Sequence, residues 1–225
     1  MLQIKSLEKT IGSFFISVDS LEITQPGIYG FIGANGSGKS TIAKLISGLL
    51  EPDKGKIDIS LNSRDITIIT QKPYIMNDTV YNNLAYPLRL RGYKNCQPLC
   101  EKQLEKTGFL EKKNQQARGL SGGEKQKLAL LRAMIFNPKL IILDEAMSGL
   151  DLDSQDLFEE MIFEHQKQNP AIWIIISHQL SRIKLLCEYI FFTANGRLEA
   201  QGTMEELFCS DNPEVRRYLK HEVLT

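Results

Sequence analysis

The chain contains 225 residues, of which 42% are hydrophobic and 24% are charged; this composition supports a buried core and excludes a disordered polypeptide. Lysine plus arginine and aspartate plus glutamate each total 27, so the formal net charge is zero and no broad basic surface for nucleic acid is expected. The apolar runs are far shorter than the roughly 18 residues of a membrane span, and the charged N-terminal segment lacks a signal-peptide pattern. We therefore expect a globular cytoplasmic protein with no nucleic-acid partner.

The first part of the chain predicts strands, a loop and a helix in succession. Alternating apolar residues in 2–23 predict half-buried strands, and the turn at Pro26-Gly27 separates them from a short buried strand over 28–32. A glycine-rich loop follows this strand. Residues 41–50 then predict an apolar helix, which we expect to end near Pro52.

Later segments complete an α/β pattern. Residues 55–70 return to a period of two, which predicts further strands, whereas 79–118 is rich in leucine, lysine, glutamine and glutamate and predicts a helical insertion. The apolar runs at 140–143 and 172–177 have the length of strands in a parallel sheet that is covered on both faces. The sequence therefore predicts one α/β domain.

The glycine-rich loop carries the first chemical motif. It matches the pattern Gly-x-x-x-x-Gly-Lys-Ser/Thr between a predicted strand and a predicted helix, which is the context of a phosphate-binding loop. Backbone N–H groups would surround phosphate oxygens, Lys39 would contact the β- and γ-phosphates, and the Ser40 hydroxyl would ligate Mg²⁺. The motif indicates a nucleoside triphosphate without specifying its base. The residues expected to bind it are Gly33, Ala34, Asn35, Gly36, Ser37, Gly38, Lys39, Ser40 and Thr41.

Both apolar runs of the second half end in residues suited to catalysis. The first leads directly into Asp144 and Glu145, and the second leads into His178. Asp144 is suited to hold Mg²⁺ and Glu145 to orient or deprotonate an attacking water. His178 is suited to contact the γ-phosphate, or to hold the water and Glu145 in register. His165 and His221 lie in polar helical stretches, where we expect them to be solvated.

Cysteine use argues against a structural zinc site. Cys96 and Cys100 are spaced to share a helical face, but no second pair of cysteine or histidine residues lies nearby at metal-ligand spacing. Reduced thiols that pack in the structure are the favoured interpretation.

A third motif identifies the family. Residues 120–126, Leu-Ser-Gly-Gly-Glu-Lys-Gln, place a capping box at Ser121 and Glu124 before a helix predicted to reach Phe136, which makes a second anion-binding surface. Together with the loop and the two strand ends, this motif resembles the nucleotide-binding subunits of ABC transporters over nearly the whole chain. The remaining matching elements are Gln71 and Ser148-Gly149-Leu150-Asp151.

The resemblance implies a fold and a domain organisation. It implies the α/β fold of a P-loop NTPase, in which a mostly parallel sheet is joined by an N-terminal antiparallel β portion and a helical insertion. The whole of 1–225 would form a single nucleotide-binding domain. The catalytic core would lie at about 1–72 and 134–225, and the insertion at about 73–133.

The resemblance also implies an ATP site shared by two copies of the chain. The surface around Ser121 in one copy, here called the signature surface, would close over the γ-phosphate held by the Lys39 loop of the other copy. This arrangement gives a head-to-tail homodimer with two bound ATP molecules. Gln71 would contact Mg²⁺ and the γ-phosphate and link the site to the insertion, while Asp151 would communicate across the dimer. The implied signature residues are Ser121, Gly122, Gly123 and Glu124; the catalytic residues are Lys39, Gln71, Glu145 and His178; the Mg²⁺ ligands are Ser40, Gln71 and Asp144.

Two positions depart from the family pattern. The family carries an aromatic residue for adenine stacking ahead of the loop, whereas this chain has Ile11 before Gly12. Phe14 and Phe15 are the candidates to replace it. Lys127 stands where arginine is common, which keeps the charge but loses the bidentate fork.

The region after Gln71 is similar to importer ATPases, including those for tungstate-like oxyanions and other small solutes. The resemblance implies a separate integral membrane permease, a solute-binding protein in the complex, and a peripheral location on the inner face of the cell membrane. Tyr74, Met76 and Tyr86 are candidates for contact with the permease; packing within the insertion is the alternative for each of them.

Other classes of ABC ATPase compete with this interpretation. A DNA-repair type needs a long coiled coil, and no segment shows sustained heptads. A translation-factor type needs two such domains. A soluble ATPase of the iron–sulfur assembly type fits the length and stays open. A nucleotide-binding switch without turnover is disfavoured, because Glu145 and His178 are both present.

Overall fold

A computed structural model describes residues 1–223. In that range nine strands form one mixed sheet, in the order β4-β1-β2-β9-β8-β3-β7-β6-β5. The strands are β1 (Leu2–Ile11), β2 (Phe14–Ile23), β3 (Gly27–Ile32), β4 (Lys54–Ile59), β5 (Ile66–Thr70), β6 (Leu140–Asp144), β7 (Ile172–Ile176), β8 (Tyr189–Ala194) and β9 (Arg197–Gly202).

Eight α-helices lie in the same range. They are α1 (Lys39–Ile46), α2 (Val80–Leu90), α3 (Gln97–Lys106), α4 (Gly122–Met134), α5 (Leu152–Gln168), α6 (Leu180–Leu186), α7 (Met204–Phe208) and α8 (Pro213–Val223). None of the helices in 1–223 combines the length and the apolar character that crossing a bilayer requires.

The chain forms two compact units. The first comprises Met1–Ile68, Lys139–Glu145 and Pro170–Thr225, and the second comprises Ile69–Pro138 and Ala146–Asn169.

Parallel strands form the centre of the first unit. Strand β3 pairs in parallel with β7 and β8, and β6 pairs in parallel with β7, whereas β1 pairs antiparallel with β2 and β4. All residues of β6 and β7 are buried, which explains why both read as unbroken apolar runs. The mixed α/β sheet with an antiparallel N-terminal portion confirms the predicted fold class. Because β3, β6 and β7 run in the same direction, the residues that follow them meet at one edge of the sheet.

The second unit is helical. Thr79 is the N-cap of helix α2, and its hydroxyl accepts from the Asn82 N–H at 3.1 Å. Helix α2 packs on α4. The Arg132 guanidinium of α4 donates to the Tyr74 carbonyl at 2.6 Å and to the Asn83 side chain at 3.3 Å. These bonds tie the segment that precedes α2 to α4.

Two sequence expectations were wrong. Helix α1 ends at Ile46, short of Pro52, because Gly48 adopts φ +75° and stops the helix there. His165 is only 8% exposed. It shares the buried face of α5 with Phe158 and Ile162, which precede it by seven and three residues, so helical spacing turns this histidine inward despite its polar neighbours.

Candidate functional site

The glycine-rich loop joins β3 to α1 and bends back on itself. Gly33 opens the loop with φ +143°, and a Cβ there would lie 2.1 Å from the carbonyl oxygen of Thr193, so only glycine fits. Gly38 adopts φ +108° as the N-cap of α1, and its carbonyl accepts from the Thr41 and Ile42 N–H groups at 3.0 and 2.9 Å. A Cβ on Gly36 would meet no atom within 4 Å, so the crest of the loop is open to approach.

The Lys39 ammonium lies inside this loop. Its Nζ donates to the Gly33 carbonyl at 2.7 Å, to the Ala34 carbonyl at 2.9 Å and to the Ser37 hydroxyl at 3.5 Å. Burial lowers the pKa of Lys39, and the nearby carboxylates of Glu145 and Asp144 oppose that shift. The structure thus places the charge of the predicted phosphate-binding lysine at the centre of the loop.

The Ser40 side chain at the start of α1 contacts Asp144 at the end of β6. The Ser40 hydroxyl donates to Oδ1 of Asp144 at 2.7 Å, although the two residues are 104 positions apart. Asp144 ends β6 and is 6% exposed. A hydroxyl and a carboxylate are ligands that Mg²⁺ prefers, and this ion characteristically takes few ligands from protein and the remainder from phosphates and water. The pair fits such an ion.

Glu145 and His178 meet at the same sheet edge. Oε2 of Glu145 lies 2.8 Å from Nδ1 of His178, and the Glu145 N–H donates to the Ile176 carbonyl at 3.0 Å. Glu145 adopts φ +54°, a conformation that costs a non-glycine residue about 1–3 kcal/mol. This left-handed turn carries Glu145 away from the course of β6, so its carboxylate meets the histidine that follows β7.

The predicted signature residues lie at the start of α4 in the second unit. The Ser121 hydroxyl accepts from the Glu124 N–H at 3.3 Å and the Glu124 carboxylate accepts from the Ser121 N–H at 2.8 Å, which confirms the capping box. Hydrogen bonds from Lys112 and then from the Ser121 N–H lower the pKa of Glu124 to about 2. A Cβ on Gly122 would meet no atom within 4 Å, and one on Gly123 would lie 3.8 Å from Leu150.

Gln71 and Asp151 also belong to the second unit. The Gln71 side-chain amide lies 3.5 Å from the Ser148 hydroxyl, to which it donates. Asp151 is the N-cap of α5, where its carboxylate accepts from the Ser154 N–H at 2.8 Å. The Ser154 N–H and hydroxyl both lower the pKa of Asp151. Gln71 and Asp151 therefore have defined partners within their own unit.

The aromatic candidates for the base differ in their surroundings. Ile11 and Phe15 are each 45% exposed. Phe14 is partly buried, and its ring edge lies 3.6 Å from the point where a Cβ on Gly38 would stand. Phe14 therefore lies beside the phosphate-binding loop.

The candidates for contact with a permease are exposed to different degrees. Tyr74 is 73% exposed and Tyr86 is 44% exposed, whereas Met76 is half-buried. Cys96, the N-cap of α3, and Cys100 within the helix are buried. Burial raises the pKa of Cys100 to about 11.

Sequence reasoning missed two residues that hold the loop. The Thr193 hydroxyl lies 2.9 Å from the Ser37 hydroxyl, and the Gly196 N–H donates to the Ser37 carbonyl at 3.1 Å. Thr193 sits within the apolar strand β8, where threonine is ordinary. The Asn195-Gly196 pair was visible as a hairpin turn, but nothing local connects it to a loop some 160 residues earlier in the chain.

The sequence is similar to a protein-family model and to proteins of known function. A family model described as "ABC transporter" matches residues 16–148. The tungstate uptake system ATP-binding protein TupC of Peptoclostridium acidaminophilum is 35% identical over 210 residues, which cover 89% of this chain and 98% of that protein. The methionine import ATP-binding protein MetN of Clostridioides difficile (strain 630) is 31% identical over 239 residues, covering 99% of this chain and 74% of that protein.

The fold also has a close match among solved structures. A dimeric, post-hydrolysis state of an ATP-binding cassette bound to ADP and phosphate superimposes with a TM-score of 0.80 at 22% identity, covering 91% of this chain and 99% of that one. At this level of identity the likeness concerns the fold.

Proposed function

The chain is an ATPase of the ABC transporter family, and from that membership we propose that it energises the import of a small solute through a separate membrane permease. We further propose that its residues bind ATP, hydrolyse it and couple hydrolysis to the opening of a dimer. The loop with Lys39 at its centre is the single observation that carries the proposal.

The triphosphate binds along residues 33–41. Lys39 directs its ammonium into the loop, where it meets the Gly33 and Ala34 carbonyls. Phosphate oxygens carry far more negative charge than carbonyl oxygens, so a β- or γ-phosphate that enters the loop takes over these bonds. The open crest at Gly36 gives it access to backbone N–H groups and to the start of α1.

Ser40 and Asp144 hold the metal ion. Their oxygens already lie 2.7 Å apart, and Gln71 is the third proposed ligand. When bound, Mg²⁺ supplies charge neutralisation for the β- and γ-phosphates. Asp144 is buried beside the loop, so its carboxylate is held in place before the nucleotide arrives.

Glu145 and His178 promote hydrolysis. Glu145 accepts a proton from the water whose oxygen forms a bond to the γ-phosphorus, while the bond from that phosphorus to the β–γ bridging oxygen breaks and ADP leaves. His178 holds the Glu145 carboxylate through the 2.8 Å contact. Lys39 stabilises the negative charge on the transferred phosphoryl group.

A second copy of the chain completes the site through the Ser121 surface. Gly122 and Gly123 have room for a Cβ within their own chain and do not adopt left-handed φ values. Their own fold therefore does not require glycine, and the space they leave open suits the γ-phosphate held by another copy. ATP then joins two copies head to tail, and its hydrolysis releases them. Gln71 and Asp151 relay the state of this interface to the insertion and to the other copy.

Phe14 provides the aromatic surface for adenine. It is the candidate whose ring lies against Gly38, at the point where the loop enters α1. Phe15 is 45% exposed, and the side chains nearest to a Cβ on Gly38 would be those of Ile16 and Phe14. Ile11, which stands at the family's aromatic position, has no ring to stack on a base.

The relatives guide the choice of partners. One is named for tungstate uptake and another for methionine import, two small solutes of different chemistry, so the solute is selected by other components, which we propose to be a permease and a solute-binding protein. The chain then lies at the inner face of the membrane, where Tyr74, Tyr86 and the half-buried Met76 contact the permease. Both relatives belong to import systems, which favours this proposal over an iron–sulfur assembly ATPase.

The experiment is a comparison of two lysines on α1. Lys39→Ala removes the proposed phosphate contact, whereas Lys44→Ala removes an exposed lysine of the same helix. We expect Lys39→Ala to lower ATP affinity and phosphate release together, by at least about tenfold, and Lys44→Ala to leave both unchanged. Unaltered binding and hydrolysis in Lys39→Ala would overturn the assignment of the loop. Co-purification with a membrane permease, as opposed to a soluble scaffold protein, tests the transport role.

A further inference from the structure

The β8–β9 hairpin meets the phosphate-binding loop at three points. The Thr193 hydroxyl lies 3.3 Å from the Ile32 carbonyl, to which it donates, and 2.9 Å from the Ser37 hydroxyl. The Thr193 carbonyl abuts Gly33 so closely that no side chain fits there. At the hairpin turn, the Gly196 N–H donates to the Ser37 carbonyl at 3.1 Å. Ser37 is thus held through its main chain and through its side chain.

Counting protons gives these bonds a direction. A threonine hydroxyl has one hydrogen and the Ile32 carbonyl only accepts, so the bonds of Thr193 to Ile32 and to Ser37 form together only when Thr193 donates to Ile32. In that arrangement Ser37 donates its own hydrogen to Thr193, which leaves its oxygen to accept from the Lys39 ammonium. Thr193 and Ser37 are 0% and 4% exposed, so water does not substitute readily for a missing partner.

We propose that Thr193 is a positioning residue for nucleotide binding: its buried hydroxyl fixes Ser37 at the crest of the loop and keeps the Ser37 oxygen directed at Lys39. The proposal rests on the proposed function of the loop. Without this hydroxyl, the Ser37 side chain can rotate and donate its hydrogen elsewhere. The loop then becomes ordered only when the phosphates bind, and the entropy lost in that step lowers the affinity for nucleotide.

The hairpin is suited to this task because its turn is hydrogen-bonded on two sides. Asn195 and Gly196 adopt φ +49° and +79°, as in a two-residue turn with both central residues left-handed, which matches the twist of paired strands. The Gly196 carbonyl accepts from the Ser17 N–H at 2.8 Å. The turn is therefore held by β2 on one side while it holds Ser37 on the other.

Four variants test the proposal, with MgADP as the probe so that hydrolysis does not interfere. Thr193→Val keeps the shape and removes the hydroxyl, whereas Thr193→Ser keeps the hydroxyl. Ser37→Ala removes the partner, and the double variant measures their coupling. Thr107→Val is the matched control, because Thr107 is also buried and donates its hydroxyl to a carbonyl, that of Gln103 at 2.8 Å, but lies in the second unit.

We expect Thr193→Val to raise the dissociation constant for MgADP by about five- to tenfold, the equivalent of one lost hydrogen bond. Thr193→Ser should stay within about twofold of the wild type, and Ser37→Ala should match Thr193→Val, with the double variant no weaker than either. Thr107→Val should lower the melting temperature without a change in affinity. An unchanged affinity in Thr193→Val, or effects of Thr193→Val and Ser37→Ala that multiply, would overturn the proposal.

Lys39→Ala separates this proposal from the function on which it rests. If Lys39→Ala loses MgADP while Thr193→Val keeps it, the loop binds nucleotide and only the role of Thr193 is refuted. If Lys39→Ala itself binds MgADP as the wild type does, the proposed function of the loop fails. Should Thr193→Val not fold, Thr193→Ala, which also removes the hydroxyl, replaces it in the same comparison with Ser37→Ala and their double variant.

Discussion

Oε2 of Glu145 lies 2.8 Å from Nδ1 of His178. The contact joins the ends of two adjacent parallel strands, and it depends on the left-handed backbone at Glu145. A carboxylate held by an imidazole has a fixed orientation before its substrate binds, which is what a general base requires.

Glu145→Gln should therefore separate ATP binding from ATP hydrolysis. Glutamine keeps the size of the side chain but does not accept the proton of the attacking water, so we expect phosphate release to fall at least about 100-fold while ATP affinity persists. The trapped ATP should hold two copies together, which light scattering after gel filtration measures. The same variant with ADP should remain monomeric. Hydrolysis at the wild-type rate would remove Glu145 from its proposed role.

Gly122 and Gly123 of the signature surface predict that substitution changes dimerisation without lowering thermal stability. Gly122→Ala and Gly123→Ala should leave the melting temperature unchanged or slightly higher, because each Cβ has room and alanine favours a helix by up to about 1 kcal/mol. The added methyl groups should nevertheless weaken ATP-driven dimerisation when made in the Glu145→Gln background.

Gly119→Ala is the matched control for these two changes. A Cβ on Gly119 would lie no closer than 3.8 Å from Gln115, and the residue precedes the signature surface. We expect its dimerisation to equal that of the parent. Normal dimerisation in Gly122→Ala and Gly123→Ala would show that the open space serves some other purpose.

The two phenylalanines after Gly12 predict different effects on nucleotide affinity. Phe14→Ala should weaken ATP binding by about fivefold or more, since stacking of an aromatic ring on a base contributes about 1–3 kcal/mol. Phe15→Ala should have little effect, because it is the Phe14 ring that lies beside Gly38. Equilibrium titration with ATP, together with melting curves, distinguishes lost stacking from lost folding. The reverse order of effects would assign the base to Phe15.

The capping box at the start of α4 predicts a dependence of stability on pH. Because folding lowers the pKa of Glu124 from 4.5 to about 2, its contribution is fully present above the unfolded value and is lost as the pH falls toward 2. Relative to Glu124→Gln, we expect the wild type to gain about 1 kcal/mol at neutral pH and to lose this advantage progressively as the pH falls from 4.5 toward about 2. The measurement is the melting temperature of both proteins between pH 7 and pH 3.5. A difference in melting temperature that stays constant over this range would contradict the prediction.

Local chemistry explains what the sequence predicted. The loop and His178 follow short apolar strands, and Asp144 and Glu145 lie at the end of another. The end of such a strand is visible from period and composition alone. The capping box at Ser121 was equally visible, because its two residues are three positions apart. Features of this kind need no knowledge of the remaining fold.

Long-range relationships explain what the sequence did not predict. The order of strands places β3 between β7 and β8, which no local pattern specifies, and the support that Thr193 gives to Ser37 depends on this order. The left-handed φ at Glu145 could not be predicted either, because glutamate has no preference for it. His165 was misplaced because polar neighbours along the chain outweighed its helical phase relative to Phe158.

The position of the hairpin has a consequence for biosynthesis. When Thr41 has been added to the nascent chain, the glycine-rich loop is complete in sequence. Thr193 and Gly196, which hold Ser37, lie 156 or more residues further along the chain and have not yet been synthesised. Nascent chains that lack Thr193 and Gly196 therefore expose the motif without its support, and they also lack β8, one of the two neighbours of β3. If Thr193 holds Ser37 as proposed, we expect residues 33–41 to reach their final geometry only after β8 and the Gly196 turn have been synthesised.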